Sequence, residues 1–359
     1  MKKILMLFLT AGVQYLLLNT ESFAGNGDRA GQAGAPELLI NPWARSSGWN
    51  GANSASVRGI EGMFLNVAGT AFTKKSEFVF STTNLIKAAD IKINTFGFTQ
   101  KMGESSVIGL GIMAMNFGAI PVTTVDLPEG GTGTFSPQYL NIGLSYAKAF
   151  SNSIYGGINV KAISESIANI GAQGIAFDAG IQYVTGIGQD KDGKRNSDNL
   201  KFGIALKNVG PPIRYRGDGL SFSGTINSTG SSLSVEQRSE RFELPSLVNI
   251  GGTYDYKISD MHRLSFAANF TSNSFTNNQY QGGIEYGFRS YFMVRAGYLY
   301  EKDIANSQLR TIWFTGPSGG FTFEVPIGKL SDRTFGLDYS YRASSPFAGV
   351  HSIGARINL

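Results

Sequence analysis

From about residue 76 to Leu359 the chain alternates, apolar then polar, with breaks at short runs of glycine and polar residues. In the closing stretch Ile353, Ala355, Ile357 and Leu359 share one face, while Ser352, Gly354, Arg356 and Asn358 share the other. A two-residue period is the mark of a strand. Leu140, Ile142, Leu144 and Tyr146 oppose Asn141, Gly143, Ser145 and Ala147 in the same way. Ile175, Phe177, Ala179, Ile181 and Tyr183 oppose Ala176, Asp178, Gly180 and Gln182, and Phe335, Leu337, Tyr339 and Tyr341 oppose Gly336, Asp338, Ser340 and Arg342. The pattern predicts about fourteen strands, near 76–85, 90–101, 104–116, 138–150, 153–165, 172–185, 200–209, 246–257, 261–271, 278–288, 290–300, 319–326, 334–343 and 350–359.

The polar faces carry charge of both signs: Lys161, Asp178, Lys201, Lys207, Asp255, Glu285, Arg295, Glu324, Asp338 and Arg356. No segment beyond the amino terminus is apolar enough to cross a bilayer as a helix. An alternating, half-polar chain sits in lipid only as a closed barrel, in which every backbone N–H and C=O is paired and charges turn to the lumen. The expected fold is therefore all-β, a transmembrane antiparallel β-barrel with an even strand number. Connection lengths agree with it. With both barrel ends on the periplasmic side, the odd-numbered connections face outward, and the longest two, 117–137 and 210–245, are odd. The charged connection Gly186 to Asn199 is the exception, long where a tight turn is expected.

Residues 25–75 do not alternate, yet they hold Trp43, Trp49 and the run Leu38-Leu39-Ile40. A flexible lead-in rarely carries such apolar weight, so they are expected to form an N-terminal plug segment inside the barrel of residues 76–359. Trp43, Arg45, Trp49, Asn66 and Gly69 are its candidate functional residues. Ahead of it, residues 1–24 read as a cleaved signal peptide: Lys2 and Lys3, an apolar run from Ile4 to Leu18, then Ser22-Phe23-Ala24. Export to the outer membrane of a Gram-negative-type cell follows.

The chain has no cysteine, which excludes disulfides and thiolate chemistry. Its net charge is +5, or +4 without Lys2, Lys3 and Glu21, and the basic residues are dispersed, so no nucleic-acid partner is expected. Gly109-Leu110-Gly111-Ile112-Met113-Ala114 matches a dinucleotide fingerprint, but inside an alternating strand rather than at a helix start. Gly188 to Arg195 approximates a phosphate loop without its Ser/Thr, and a calcium loop without its distal acid, so a solvated turn is the better reading. Arg216-Gly217-Asp218 reads as loop chemistry. The two histidines, His262 and His351, lie at strand ends and are expected to be polar residues at the membrane boundary. No metal or cofactor constellation emerges, and the protein is not expected to be an enzyme.

Ala35-Pro36-Glu37-Leu38-Leu39-Ile40, with Ala44-Arg45 after it, resembles the start of the PorV/PorQ family of outer-membrane proteins. Asn66-Val67-Ala68-Gly69-Thr70-Ala71-Phe72 resembles the family's Asn-Pro-Ala-Gly-Leu-Ala, with Val67 where Pro is usual. Ile120-Pro121-Val122-Thr123-Thr124, Phe135-Ser136-Pro137, Gly174-Ile175-Ala176-Phe177-Asp178, Leu206-Lys207-Asn208-Val209-Gly210-Pro211 and Asp338-Tyr339-Ser340-Tyr341 follow in order. The resemblance implies a FadL-like barrel of fourteen strands with a plug. It also implies a protein-binding component associated with type IX secretion, whose partners besides outer-membrane lipid are secreted cargo proteins or other secretion-system components. The alternative is a FadL-like channel for uptake of hydrophobic small molecules.

Overall fold

The computed structural model describes residues 27–189, 193, 196–225, 232–328 and 333–359. The expected signal peptide and part of the 186–199 connection lie outside these. Fourteen long strands occur where the alternation predicts them: β1 Ser76–Ile86, β2 Ile91–Met102, β3 Ser106–Asn116, β4 Gln138–Ala149, β5 Ile154–Ile167, β6 Ile170–Thr185 and β7 Leu200–Val209. The second half adds β8 Leu247–Ser259, β9 His262–Asn273, β10 Gln279–Phe288, β11 Phe292–Glu301, β12 Phe314–Pro326, β13 Thr334–Ser344 and β14 Val350–Asn358. Each pairs antiparallel with its sequence neighbours, and β14 returns to β1 through pairs such as Phe78↔Ile357 and Thr82↔Ile353, closing the cylinder. Among the described residues no helix is long and apolar enough to cross a membrane; the strands do so instead.

The faces are those expected. Leu140, Ile142, Leu144, Ile175, Phe177 and Ile181 are exposed on the outside, and Asn141, Ser145, Asp178 and Gln182 are buried within. All ten charges assigned to the lumen point there. Eight are buried, while Asp255 binds Lys201 and Glu324 accepts from Thr334 Oγ1 at 2.6 Å. Burial of so much charge inside a cylinder whose outside is apolar inverts a soluble protein, as a bilayer solvent requires.

One strand is longer than its pattern. β12 starts at Phe314, not 319, because Gly316-Pro317 reads as a break. The structure absorbs the pair in a bulge: Phe314 opposes Ser344, yet Ser318 opposes Arg342. On the other side, the β11–β12 ladder ends at Tyr298↔Pro317. Around that seam the Glu301 carboxylate takes over, accepting from Thr311 N at 2.7 Å and Ile312 N at 3.2 Å.

Residues 27–75 run through the cylinder. At the end bearing the long connections, Arg29 meets Glu243 at 3.3 Å and stacks on the Phe275 ring at 4.2 Å. The chain then forms short helical turns at Pro36–Leu39, Ala44–Ser47, Gly59–Glu61, Gly62–Leu65 and Val67–Phe72, and enters β1 at the opposite end.

Candidate functional site

The lumen has two layers, and their residues explain the difference. Toward the long-loop end, here the outer end, inward positions of β1 to β5 are Leu85, Ile93, Met113, Met115, Tyr139 and Ile163. They pack with Ala35 and Leu38 of the inner segment, with Ile213 and Leu244 of the 210–246 connection, and with Phe314 at the β12 bulge. This is a buried apolar layer at the outer end of the lumen. Glu37 is embedded beside it, with Oε2 buried and without a hydrogen-bond partner among the described residues. Burial raises its pKa from 4.5 to about 7; its own backbone N–H opposes the shift and Glu165 adds to it.

Below the apolar layer the lumen is ionic. Arg356 binds Glu61, Glu77 (3.0 Å) and Asp338 (3.5 Å). Glu285 takes Arg295 at 2.9 Å and Arg263 at 2.7 Å, and Arg295 Nη2 donates to Thr322 at 2.7 Å. Glu61 and Glu77 also accept from the inner segment's own backbone, at Ser46 N (3.1 Å) and Ile60 N (2.7 Å). A second group pairs Lys161 with Asp178 at 2.7 Å, and Asp178 accepts from Asn159 Nδ2 at 3.1 Å. Beneath the first network a cavity of about 660 Å³ opens toward the short-turn end, lined by Arg45, Arg58, Lys201, Asp255, Arg263 and Glu285 among others. Buried ions paired and hydrogen-bonded in this way form a polar barrier, costly for an apolar solute to enter and costly to break.

The five candidate residues all lie inside the barrel, as separate anchors rather than one constellation. Trp43 is buried edge-on to Phe64 (centroids 5.8 Å apart) and packs with Ile60 and Val79. Gly97 of β2 makes that fit possible, since a Cβ there would come within 2.9 Å of the indole. Arg45 and Trp49 line the ionic cavity. Burial and nearby Arg356 act against the Arg45 charge, but Glu285, Asp338 and Glu61 outweigh them and raise its pKa. Asn66 ties three parts together: Oδ1 caps Ala68 N at 3.2 Å, and Nδ2 donates to Ile181 O (3.0 Å) and Ile204 O (3.4 Å) on β6 and β7. Gly69 packs so tightly under the Val57 carbonyl that no side chain fits.

Sequence reasoning missed Glu61, Glu77 and Asn208. Asn208 occupies a bulge in β7 at φ 60°, donating to Pro245 O at 3.0 Å and, through its backbone, to Asp178 at 2.7 Å. An Asn-Val-Gly-Pro run at a strand end was the available signal, since Asn tolerates the left-handed region. Gly109 and Gly111, the apparent dinucleotide fingerprint, face inward beside the Met63 sulfur and methyl. The histidines sit on the outer face at opposite rims, His262 Nδ1 2.6 Å from Tyr286 Oη and His351 Nδ1 2.8 Å from Tyr339 Oη.

No family model matches the chain, and no curated protein sequence does either. Solved structures do. A closed fourteen-strand barrel with an apolar exterior and an ionic lumen defines an outer-membrane barrel, and the matches refine the class. The Pseudomonas putida toluene transporter TodX is 12% identical over 89% of this chain and 97% of its own, with a TM-score of 0.51. A Pseudomonas aeruginosa FadL homologue gives the same figures: 12% identity, 89% and 97% coverage and a TM-score of 0.51. At that identity the likeness is one of fold, and the fold is FadL-like.

Proposed function

We propose that this protein is a channel for hydrophobic small molecules, with residues 27–75 as its plug. The observation that carries the reading is the stacking of the lumen: an apolar layer at the outer end, in contact with the interrupted β11–β12 seam through Phe314, above a closed ionic layer. An apolar molecule gains by entering the first and loses by entering the second. Its way on is sideways at the seam, where ladder bonds lapse, once residues 27–75 shift relative to the wall. The toluene transporter among the fold neighbours suits this substrate class. The test is uptake of labelled toluene by cells whose own aromatic-uptake channels are deleted. Expression of this protein is expected to raise uptake several-fold, with no gain for a charged solute such as benzoate. Equal gains for both solutes would count against the reading.

A second reading, a protein-binding component of type IX secretion, rests on the outer loops. The hairpin Ser221–Thr225 with Ser232–Glu236 turns Phe222, Leu233 and Val235 to one exposed face, and Val125 and Leu127 are exposed on the 117–137 connection. Recovery of secreted proteins with the detergent-solubilised barrel would favour it; recovery of apolar small molecules alone would not.

A further inference from the structure

Beyond Val209 the chain leaves the wall, and residues 170–176 of β6 lose their β7 partner. The returning connection partly replaces it, through a bridge between Gly171 and Arg216 and another between Ile213 and Phe242. Ile213 is buried in the apolar layer, and Tyr215 Oη donates to lumen-facing Glu165 at 2.5 Å. By alternation Arg214 and Arg216 point outward. The Ile213↔Phe242 bridge sets Arg241 opposite Arg214, a like-charge cross-strand pair that is destabilising unless something neutralises it. None of the three guanidiniums has a carboxylate within ion-pair distance among the described residues. Arg214 Nε is buried without a hydrogen-bond partner among the described residues. The three line one cleft of about 610 Å³ with Ser164, Ser166 and Gln173; the lone carboxylate among its described lining residues, Glu165, accepts from Tyr215 Oη through Oε2, and its buried Oε1 pairs with no guanidinium.

The level of this cleft identifies its occupant. Going outward along β5, the outer face reads Ile158, Val160, Ala162, then Ser164 and Ser166; along β6 it reads Ile181, Ala179, Phe177, Ile175, then Gln173. Apolar gives way to polar on both strands at one height, the upper edge of the lipid band. We propose that Arg214, Arg216 and Arg241 bind the phosphate of an outer-leaflet lipid headgroup, with Ser164, Ser166 and Gln173 beneath it and the acyl chains against Ile175 and Val160. Guanidinium forks suit phosphate oxygens in bidentate geometry. The site is independent of what the lumen carries.

Native mass spectrometry of the full-length barrel released from micelles tests the site, with phosphatidic acid, phosphatidylcholine or inorganic phosphate added. Phosphatidic acid is expected to be retained in preference to phosphatidylcholine. The triple variant Arg214→Gln/Arg216→Gln/Arg241→Gln should retain it at least about tenfold less, with phosphatidylcholine unchanged. Should the triple variant not fold, Arg241→Gln alone, on an exposed side chain, is expected to give a partial loss. Equal retention of the two lipids, wild-type retention by the variant that folds, or retention of inorganic phosphate without lipid would each overturn the proposal.

Discussion

Leu144 and Asn141 lie three residues apart on β4 and meet different solvents. Leu144 is 62% exposed at mid-strand, whereas Asn141 is 2% exposed in the lumen. Leu144→Arg puts a charge near the bilayer midplane and is expected to cost about 2–4 kcal/mol in urea unfolding from lipid vesicles. The alternation alone suggests Leu140 for this test and a tolerant Asn141. The structure shifts both points, since Leu140 is two residues from the outer strand end and Asn141 is buried next to inward-facing Gly143, whose added Cβ would lie 3.1 Å from Met63 of the inner segment. Asn141→Arg is therefore expected to destabilise too, by overpacking. Facing was legible in the sequence because it depends only on period; crowding was not, because it depends on a segment some seventy residues upstream.

Glu37 supplies a pH dependence at the same scale. Its pKa rises from 4.5 to about 7 in the folded state, so the folded form holds this proton more tightly than the unfolded one does. The contribution to stability is complete below pH 4.5 and is lost as pH climbs through 7. The charged groups facing it are Glu165, with the Tyr139 and Tyr215 hydroxyls close by. Hydrogen exchange at residues 35–40 is expected to be several-fold faster at pH 8 than at pH 5 after correction for intrinsic rates. Glu37→Gln should abolish that difference, and a dependence that survives it would assign the titration elsewhere.

At the scale of elements, the strands were legible and the inner segment was not. Each predicted strand overlaps an observed one, and only β12 hid its first turn of chain behind Gly316-Pro317. The short turns between residues 36 and 72 have no periodicity to read. Their shape is set by contacts 100 to 300 residues away, such as Asn66 with Ile181, Gln182 Nε2 with Ser54 O at 3.2 Å, and Arg356 with Glu61. Arg356 is the clasp between β14, β1 and that segment. Arg356→Met leaves Glu61, Glu77 and Asp338 buried without their cation and is expected to cost about 3–5 kcal/mol. Proteolysis of membrane-embedded protein should then cut first within residues 44–62. Cleavage first in the outer loops, at wild-type rate, would argue that other anchors suffice.

For the whole molecule, the wall and what fills it divide the work. The wall follows from alternation and closure, and with it the outer-membrane setting. The layered lumen follows from which inward positions are aliphatic and which are charged, a distinction visible in the sequence once the faces are known. What the sequence could not supply is the meeting of the apolar layer with the β12 seam, since Phe314 lay outside the recognised strand. The channel reading depends on residues 27–75 moving relative to the wall. A Cβ added at Gly354 would lie 3.5 Å from that of Ala44, within the ~3.5–4.5 Å that a disulfide spans, and the chain has no other cysteine to interfere. The decisive measurement is toluene uptake by the Ala44→Cys/Gly354→Cys variant, oxidised and then reduced. Uptake is expected to fall to background when the bond is closed and to recover with dithiothreitol; uptake indifferent to the bond would contradict a plug that must move.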